Sequence, residues 1–229
     1  MIESAALSYA HPGASAIVFP DVSLPQGASL LLTGRSGSGK STWLALVSGL
    51  LTPAAGSLVV AGQALSAGAS GHSALKGAAR DAWRAATIGL LPQRLFLSEA
   101  LTVQQNLELP FFASGRPVDA MAVQQALAAL ELEPLRQRKP SQLSGGQAQR
   151  VALARATLLQ PRVLLADEPS ASLDDDNAQR AVQLLQRRAQ ECGATLVIAT
   201  HDARVAPLLP QARHLQVNPL PQPNPEGAA

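Results

Sequence analysis

Gly34-Arg35-Ser36-Gly37-Ser38-Gly39-Lys40-Ser41 matches the pattern G-x-x-x-x-G-K-[ST], and its flanks decide whether the match has meaning. Before it, residues 28–33 (ASLLLT) form a short apolar run with a glycine on each side, the mark of a buried strand. After it, residues 42–51 (TWLALVSGLL) suit a buried helix. Strand, glycine-rich turn and helix in this order are the context the motif requires. Gly34, Ser36, Gly37, Ser38 and Gly39 are then read as a phosphate cradle. Its glycines let backbone N–H groups turn inward, and the helix start adds partial positive charge. Lys40 is expected to reach the β- and γ-phosphates and the Ser41 hydroxyl to hold Mg²⁺. Thr42 is the next backbone donor, toward the α-phosphate. The competing reading is an ordinary Gly/Ser turn, which the Lys-Ser pair disfavours.

Outward from this loop the chain alternates strands and helices. Residues 57–61 and 88–91 read as strands, the second ending at Gln93. Residues 163–166 and 196–199 are continuous apolar runs that fit parallel strands covered on both faces. Helical spacing marks residues 117–138 through Val123, Leu127 and Leu130, and residues 178–191 through Val182, Leu185 and Ala189. Another helix begins near Gly145 and continues over residues 151–159. The alternation predicts an α/β fold with a mainly parallel sheet. Residues 63–84 are small and polar and read as a loop leading into a short helix at 81–86. Residues 218–229 (NPLPQPNPEGAA) carry prolines that prevent a helix, and an extended, disordered tail is expected.

Two more stretches carry chemistry. Asp167 and Glu168 end the apolar run that starts at Val163. Asp167 can approach Mg²⁺ through water, and Glu168, one residue on, can orient or deprotonate an attacking water. Adjacent residues point different ways from a strand, so two roles fit. A solvated loop after a core strand is the plainer reading. Ser144-Gly145-Gly146-Gln147 makes a second anion-accepting helix start. One nucleotide needs one such loop, and this chain has two. A head-to-tail dimer accounts for both: each nucleotide lies between the phosphate loop of one chain and the Ser-Gly-Gly of the other. In isolation the same residues read as a capped helix with a glycine turn.

Composition sets the outer limits. The 229 residues are 47% hydrophobic and 15% charged, a globular rather than disordered mix. A net charge of +2 and 3% aromatics give no case for a nucleic-acid partner. A single Cys excludes a disulfide framework. No apolar run approaches the roughly 18 residues of a membrane span, and the first residues do not resemble a signal peptide. A soluble, cytoplasmic protein is expected.

With these motifs in order, the sequence resembles the ATP-binding cassette (ABC) ATPases. Leu143-Ser144-Gly145-Gly146-Gln147 is similar to their signature and lies between the two nucleotide motifs. Tyr9 stands at the place of the adenine-stacking aromatic, Gln93 at the Q-loop glutamine, Ser170-Ala171-Ser172-Leu173-Asp174 at the D-loop and Thr200-His201-Asp202 at the switch histidine. The resemblance covers about Tyr9 to Val217. It implies a P-loop NTPase core, an antiparallel N-terminal β subdomain and a helical subdomain at about 94–160 carrying the signature, all within residues 1–217. It also implies that Ser41, Gln93 and Asp167 serve the metal, that Glu168 polarises water and that His201 contacts the γ-phosphate. Ser144 and Gly146 then act on the partner chain's nucleotide. A dimer partner, ATP, Mg²⁺ and an integral membrane permease at the inner face of the membrane are the implied company.

Residues 106–110 (NLELP), 139–146 and 164–169 resemble the lipoprotein-releasing and macrolide-exporter branch. Departures leave the branch open. Ser170-Ala171-Ser172 stands where Thr-Gly-Asn is expected, Gln105 and Gln147 where Glu is frequent, and the closing Asp-Gly is missing. Importer and non-transport regulatory roles remain as alternatives.

Other residues are read more plainly. Tyr9 is either the stacking ring or a core residue. His11, His72 and His214 match no motif and read as solvated. Cys192 reads as a small buried hydrophobe, Trp43 and Trp83 as packing residues, and Arg136, Arg138 and Lys139 as a solvated basic turn. Leu95, Phe96 and Leu97 are either a receiving surface for a membrane subunit or a satellite hydrophobic cluster.

Overall fold

A computed structural model describes residues 1–66, 74–171 and 173–217. The tail at 218–229, Ser172 and His72 lie outside the described residues, as does the middle of the 63–84 segment.

The apolar runs form one parallel sheet. Its strands are β4 (Ser29–Thr33), β7 (Ile88–Leu91), β8 (Val163–Asp167), β9 (Thr195–Thr200) and β10 (Arg213–Gln216), in the spatial order β10-β4-β9-β8-β7. β9 is buried at every residue and β8 at all but its last, which is why both lack polar alternation. The register sets Thr33 beside Thr200 and Asp167 beside Ala199. The carboxyl ends of β4, β9 and β8 therefore line up along one edge, where open α/β sheets bind ligands.

The N-terminal part makes a second, antiparallel sheet. β1 (Ile2–Tyr9) pairs with β2 (Ile17–Val18), β3 (Val22–Leu24) and β5 (Ala55–Val60), and β6 (Gln63–Ala64) extends β5. α1 (Lys40–Val47) lies between the two sheets' side chains, and Trp43, Leu46 and Val47 are fully buried there with Leu30, Leu32, Leu58 and Val60. α1 stops short of Leu51, because the backbone turns left-handed at Gly49 (φ 71°).

α2 (Gly77–Thr87) starts earlier than residue 81 and leads directly into β7. α3 (Val103–Ala113) is a helix that the sequence reading leaves out. A capping box starts it: Thr102 Oγ1 accepts from Gln105 N, and Gln105 Oε1 from Thr102 N. α4 (Ala120–Ala129) covers only the middle of 117–138. Asp119 caps its start, and a left-handed Glu131 and a short 3-10 turn at Glu133–Leu135 follow it. α5 (Gly145–Thr157) begins where expected, and α6 (Asp175–Glu191) gains a turn at its start from Asp174 as cap. α3, α4 and α5 share a hydrophobic cluster of Val103, Leu107, Val123, Leu127, Val151 and neighbours. No helix among the described residues is long and apolar enough to cross a membrane.

Candidate nucleotide site

The residues that follow β4, β7, β8 and β9 meet in one cleft of about 320 Å³. Ser36, Gly37, Gly39, Lys40, Ser41, Thr42, Gln93, Glu168 and His201 line it, with Ile17 and His11. Residues at least 160 positions apart in sequence are brought together because their strands are neighbours in one parallel register.

The 34–41 loop is shaped by its glycines. Gly39 takes φ 101° at the start of α1, a left-handed conformation that L side chains avoid. A Cβ at Gly34 would press on the backbone oxygen of Val217 and on Ser38 Oγ. Ser38 itself is buried, and its hydroxyl has no partner among the described residues. Lys40 is 6% exposed; its Nζ donates to Gly34 O at 2.9 Å and Arg35 O at 3.3 Å and lies 3.4 Å from Glu168 Oε1. The ammonium thus arches over its own loop toward the acid at the end of β8.

Glu168 is held from several sides. It accepts from Thr200 Oγ1 at 2.8 Å and from His201 N at 3.2 Å, and its Oε1 is 2.8 Å from His201 Nδ1. Its backbone is left-handed (φ 49°), while its N–H still bonds Ala199 O at 2.8 Å. That conformation costs a non-glycine residue on the order of 1 kcal/mol and turns the carboxylate into the cleft. Burial works against its charge, but the bonds from His201 and Thr200 prevail and hold its pKa below the usual glutamate value. Asp167 behaves oppositely. Burial, aided by the Glu168 charge, raises its pKa despite help from Ser41 and Lys40. Its Oδ1 is buried without a partner among the described residues. A buried, unsatisfied carboxylate oxygen beside a serine hydroxyl fits a divalent cation. Mg²⁺ in particular takes few protein ligands and completes its shell with phosphate oxygens and water.

Other expected site residues lie elsewhere. Ser144, Gly146 and Gln147 line a separate cavity of about 470 Å³ with Asn177 and Arg180, and not the cleft. Ser144 and Gln147 form a reciprocal capping box at the start of α5. The plainer reading of this stretch, a capped helix start, is what these bonds show. Gly145 lines a smaller cavity with Gln93, Asp167 and Glu168. Asp174 is exposed and bonds Asn177 through both carboxylate oxygens. Tyr9 is half-buried against the N-terminal core and is not among the residues that line the cleft.

His11 is exposed, in keeping with the sequence reading, and it also makes contacts that the sequence does not show. Its Nε2 is 3.2 Å from Thr42 Oγ1, and its ring meets Tyr9 edge-on with centroids 4.9 Å apart. Gln149, which no motif flags, donates to Pro169 O and ties α5 to the turn after Glu168. Ser170 Oγ donates to Asp202 Oδ2 at 2.7 Å, linking the turns after β8 and β9. Of the apolar trio, Leu95 and Leu97 pack into the hydrophobic clusters, whereas Phe96 is 69% exposed. Trp43 is fully buried. Cys192 is half-buried, and burial raises its thiol pKa.

Residues 20–171 match the family model described as ABC transporter. The chain belongs to the ABC transporter family. Over 211 residues it is 39% identical to the methionine import ATP-binding protein MetN of Cupriavidus metallidurans, covering 90% of this chain and 59% of that protein. The chain thus spans about three fifths of the length of such relatives. It is 37% identical over 223 residues to the lipoprotein-releasing system ATP-binding protein LolD of Xanthomonas oryzae pv. oryzae, covering 95% and 88% of the two. Among solved structures it resembles a dimeric bacterial ABC transporter cassette, MJ0796, with a TM-score of 0.78, 30% identity and 94% of each chain covered. MJ0796 is also known as a dimer in a post-hydrolysis state with ADP and Pi, again with a TM-score of 0.78. The parallel sheet with its antiparallel N-terminal partner is the ABC cassette fold.

Proposed function

We propose that this chain is the ATP-hydrolysing subunit of an ABC transporter complex and works beside a membrane permease. The observation that carries the reading is the single cleft in which Lys40, Ser41, Gln93, Glu168 and His201 converge. Phosphoryl transfer needs little covalent help, so positioning and charge do most of the work. The backbone of 34–39 and Lys40 neutralise the phosphates. Lys40 now rests on loop carbonyls and Glu168, contacts that ATP phosphates replace. Ser41, Asp167 and Gln93 are the residues that would hold Mg²⁺, which supplies charge neutralisation when bound. Glu168, fixed by Thr200 and His201, is ionised and orients the attacking water. His201, exposed at the cleft mouth, meets the γ-phosphate. Tyr9 offers its ring to the base.

Ser144 and Gly146 line a cavity other than their own chain's cleft, which supports a role on a partner's nucleotide in a head-to-tail dimer. ATP closes the pair, hydrolysis reopens it, and the motion drives the permease from the inner face of the membrane. Coverage of 88% of a lipoprotein-releasing ATPase and the stretches at 106–110 and 139–146 favour that branch. Identity of 39% to a methionine import ATPase favours an importer subunit as the second reading. A copurifying membrane subunit with four spans and a large periplasmic domain supports the first. A six-span permease served by a binding protein overturns it in favour of the second.

Glu168→Gln tests the catalytic assignment. The variant is expected to bind ATP as the wild type does and to lose turnover by about 100-fold or more. Hydrolysis at the wild-type rate overturns the role of Glu168. Lys40→Ala is expected to lose nucleotide binding, measured by calorimetric titration; unchanged affinity overturns the phosphate-loop reading.

A further inference from the structure

The N-terminal sheet does more than pack against α1. The turn that joins β1 to β2 starts at Tyr9 and returns at Ile17, which pairs with it. Ile17 lines the cleft, so this turn forms part of its wall. His11 lies at the head of that turn, where its backbone oxygen accepts from Ala14 N at 3.0 Å. From there its side chain reaches two places at once. The ring stands edge-on to Tyr9, with an interplanar angle of 82°. Its Nε2 comes within 3.2 Å of Thr42 Oγ1, on the first turn of α1.

On the proposed reading of the cleft, these two contacts would sit at the two ends of a nucleoside monophosphate unit. On that reading Tyr9 offers its ring to the base, and Thr42 is the loop donor furthest toward the α-phosphate. The chemical group that joins a base to an α-phosphate is the ribose with its 5′ oxygen. A side chain that bridges the two contacts lies along that group. Imidazole suits the place: it presents a donor and an acceptor to ribose hydroxyls.

We propose that His11 is a nucleotide-binding residue that recognises the ribose, setting where the nucleoside half lies relative to the phosphate loop. The proposal rests on the reading of the cleft as the ATP site. It predicts a split that no purely structural role produces. A ligand with a nucleoside loses affinity when His11 is removed; a ligand made of phosphates alone does not.

The experiment titrates the full chain with MgADP and, separately, with magnesium tripolyphosphate, in the wild type, His11→Ala, His11→Gln and Lys40→Ala. His11 is exposed, so its replacement leaves the core intact. His11→Ala is expected to weaken MgADP about fivefold to tenfold, the worth of one or two polar contacts, and to leave tripolyphosphate within about twofold. His11→Gln, which keeps a donor and an acceptor at similar reach, recovers most of the loss. Steady-state hydrolysis by His11→Ala shows a raised KM for ATP with kcat unchanged. Unchanged MgADP affinity overturns the proposal. An equal loss for both ligands also overturns it, because His11 then acts through the loop and not on the nucleoside. Lys40→Ala loses both ligands. A wild-type chain that binds neither ligand overturns the reading of the cleft itself, a result distinct from failure of His11 alone.

Discussion

Asp202 accepts from Ser170 Oγ at 2.7 Å, from Arg204 N at 3.0 Å and from the Arg204 guanidinium at 2.7–3.1 Å. Arg204 also reaches Leu173 O at 3.3 Å and pairs with Asp175. The turn after β9 is thereby fixed to the turn after β8, one residue beyond His201 and two beyond Glu168. Arg204 first, then Ser170, holds the Asp202 carboxyl well below the usual carboxylate range, against the effect of burial. A carboxyl whose pKa falls on folding stabilises the native state above its unfolded pKa, about 4 for Asp. That contribution is lost as pH falls through the lower native value. Asp202→Asn is expected to melt below the wild type at neutral pH, with the gap narrowing under acid below about pH 4. Thermal melts across that range check it; a gap that widens in acid contradicts it. Glu168 shifts the same way, whereas burial shifts its neighbour Asp167 up, so Asp167 is the one of the pair that takes a proton earlier than usual as pH falls.

At the scale of elements, Asn106 shows what the 106–110 stretch does physically. It is fully buried on α3 and binds the preceding turn. Its Oδ1 accepts from Ser98 N at 2.8 Å, and its Nδ2 donates to Ser98 O, Leu101 O and Thr102 O at 3.0–3.3 Å. The side chain thus closes the loop that leads from Gln93 into α3. Asn106→Ala would strand these backbone groups without water, at a cost of about 2–4 kcal/mol. Urea unfolding is expected to show a lower midpoint with an unchanged slope; a midpoint equal to the wild type refutes the assignment. The sequence named Asn106 as a branch marker but offered no periodicity for α3. Its buried residues Val103, Asn106, Leu107 and Phe111 do follow helical spacing, yet Asn is polar and Pro110 lies within the helix. Both weigh against a helix until Thr102 and Gln105 are recognised as its capping box. The helical spacing over 117–138 overshoots α4 for the opposite reason. The apolar spacing runs on past Ala129, but the backbone at Glu131 turns left-handed, and no side-chain pattern announces that.

For the whole molecule, the arrangement to test is the dimer. Ser144 and Gly146 line a cavity other than the Lys40 cleft of the same chain. If each nucleotide uses one of each from different chains, two inactive variants repair each other. Lys40→Ala and Ser144→Arg are each expected to be inactive alone. Mixed in equal amounts, half the dimers are heterodimers, and in each of these one site carries both defects while the other is intact. Activity of about one quarter of wild type is expected if the two sites act independently. No recovery on mixing, with heterodimers shown to form, argues against composite sites.

The sequence by itself determined the parallel sheet, the glycine-rich turn between β4 and α1, and the acid pair at the end of β8. Those features are local: continuous apolar runs bury on both faces wherever they fold, and a glycine loop before a helix collects N–H groups whatever surrounds it. It also determined that Ser144-Gly145-Gly146-Gln147 starts a helix, since a capping box spans only four residues. Only the tertiary structure decided that Thr200 and His201 hold Glu168, that Ser170 and Arg204 share Asp202, and that His11 stands between Tyr9 and Thr42. Each of those contacts joins residues on different turns, and strand order and register set the distance between them. A lone histidine or aspartate carries no trace of that register in its neighbours along the chain.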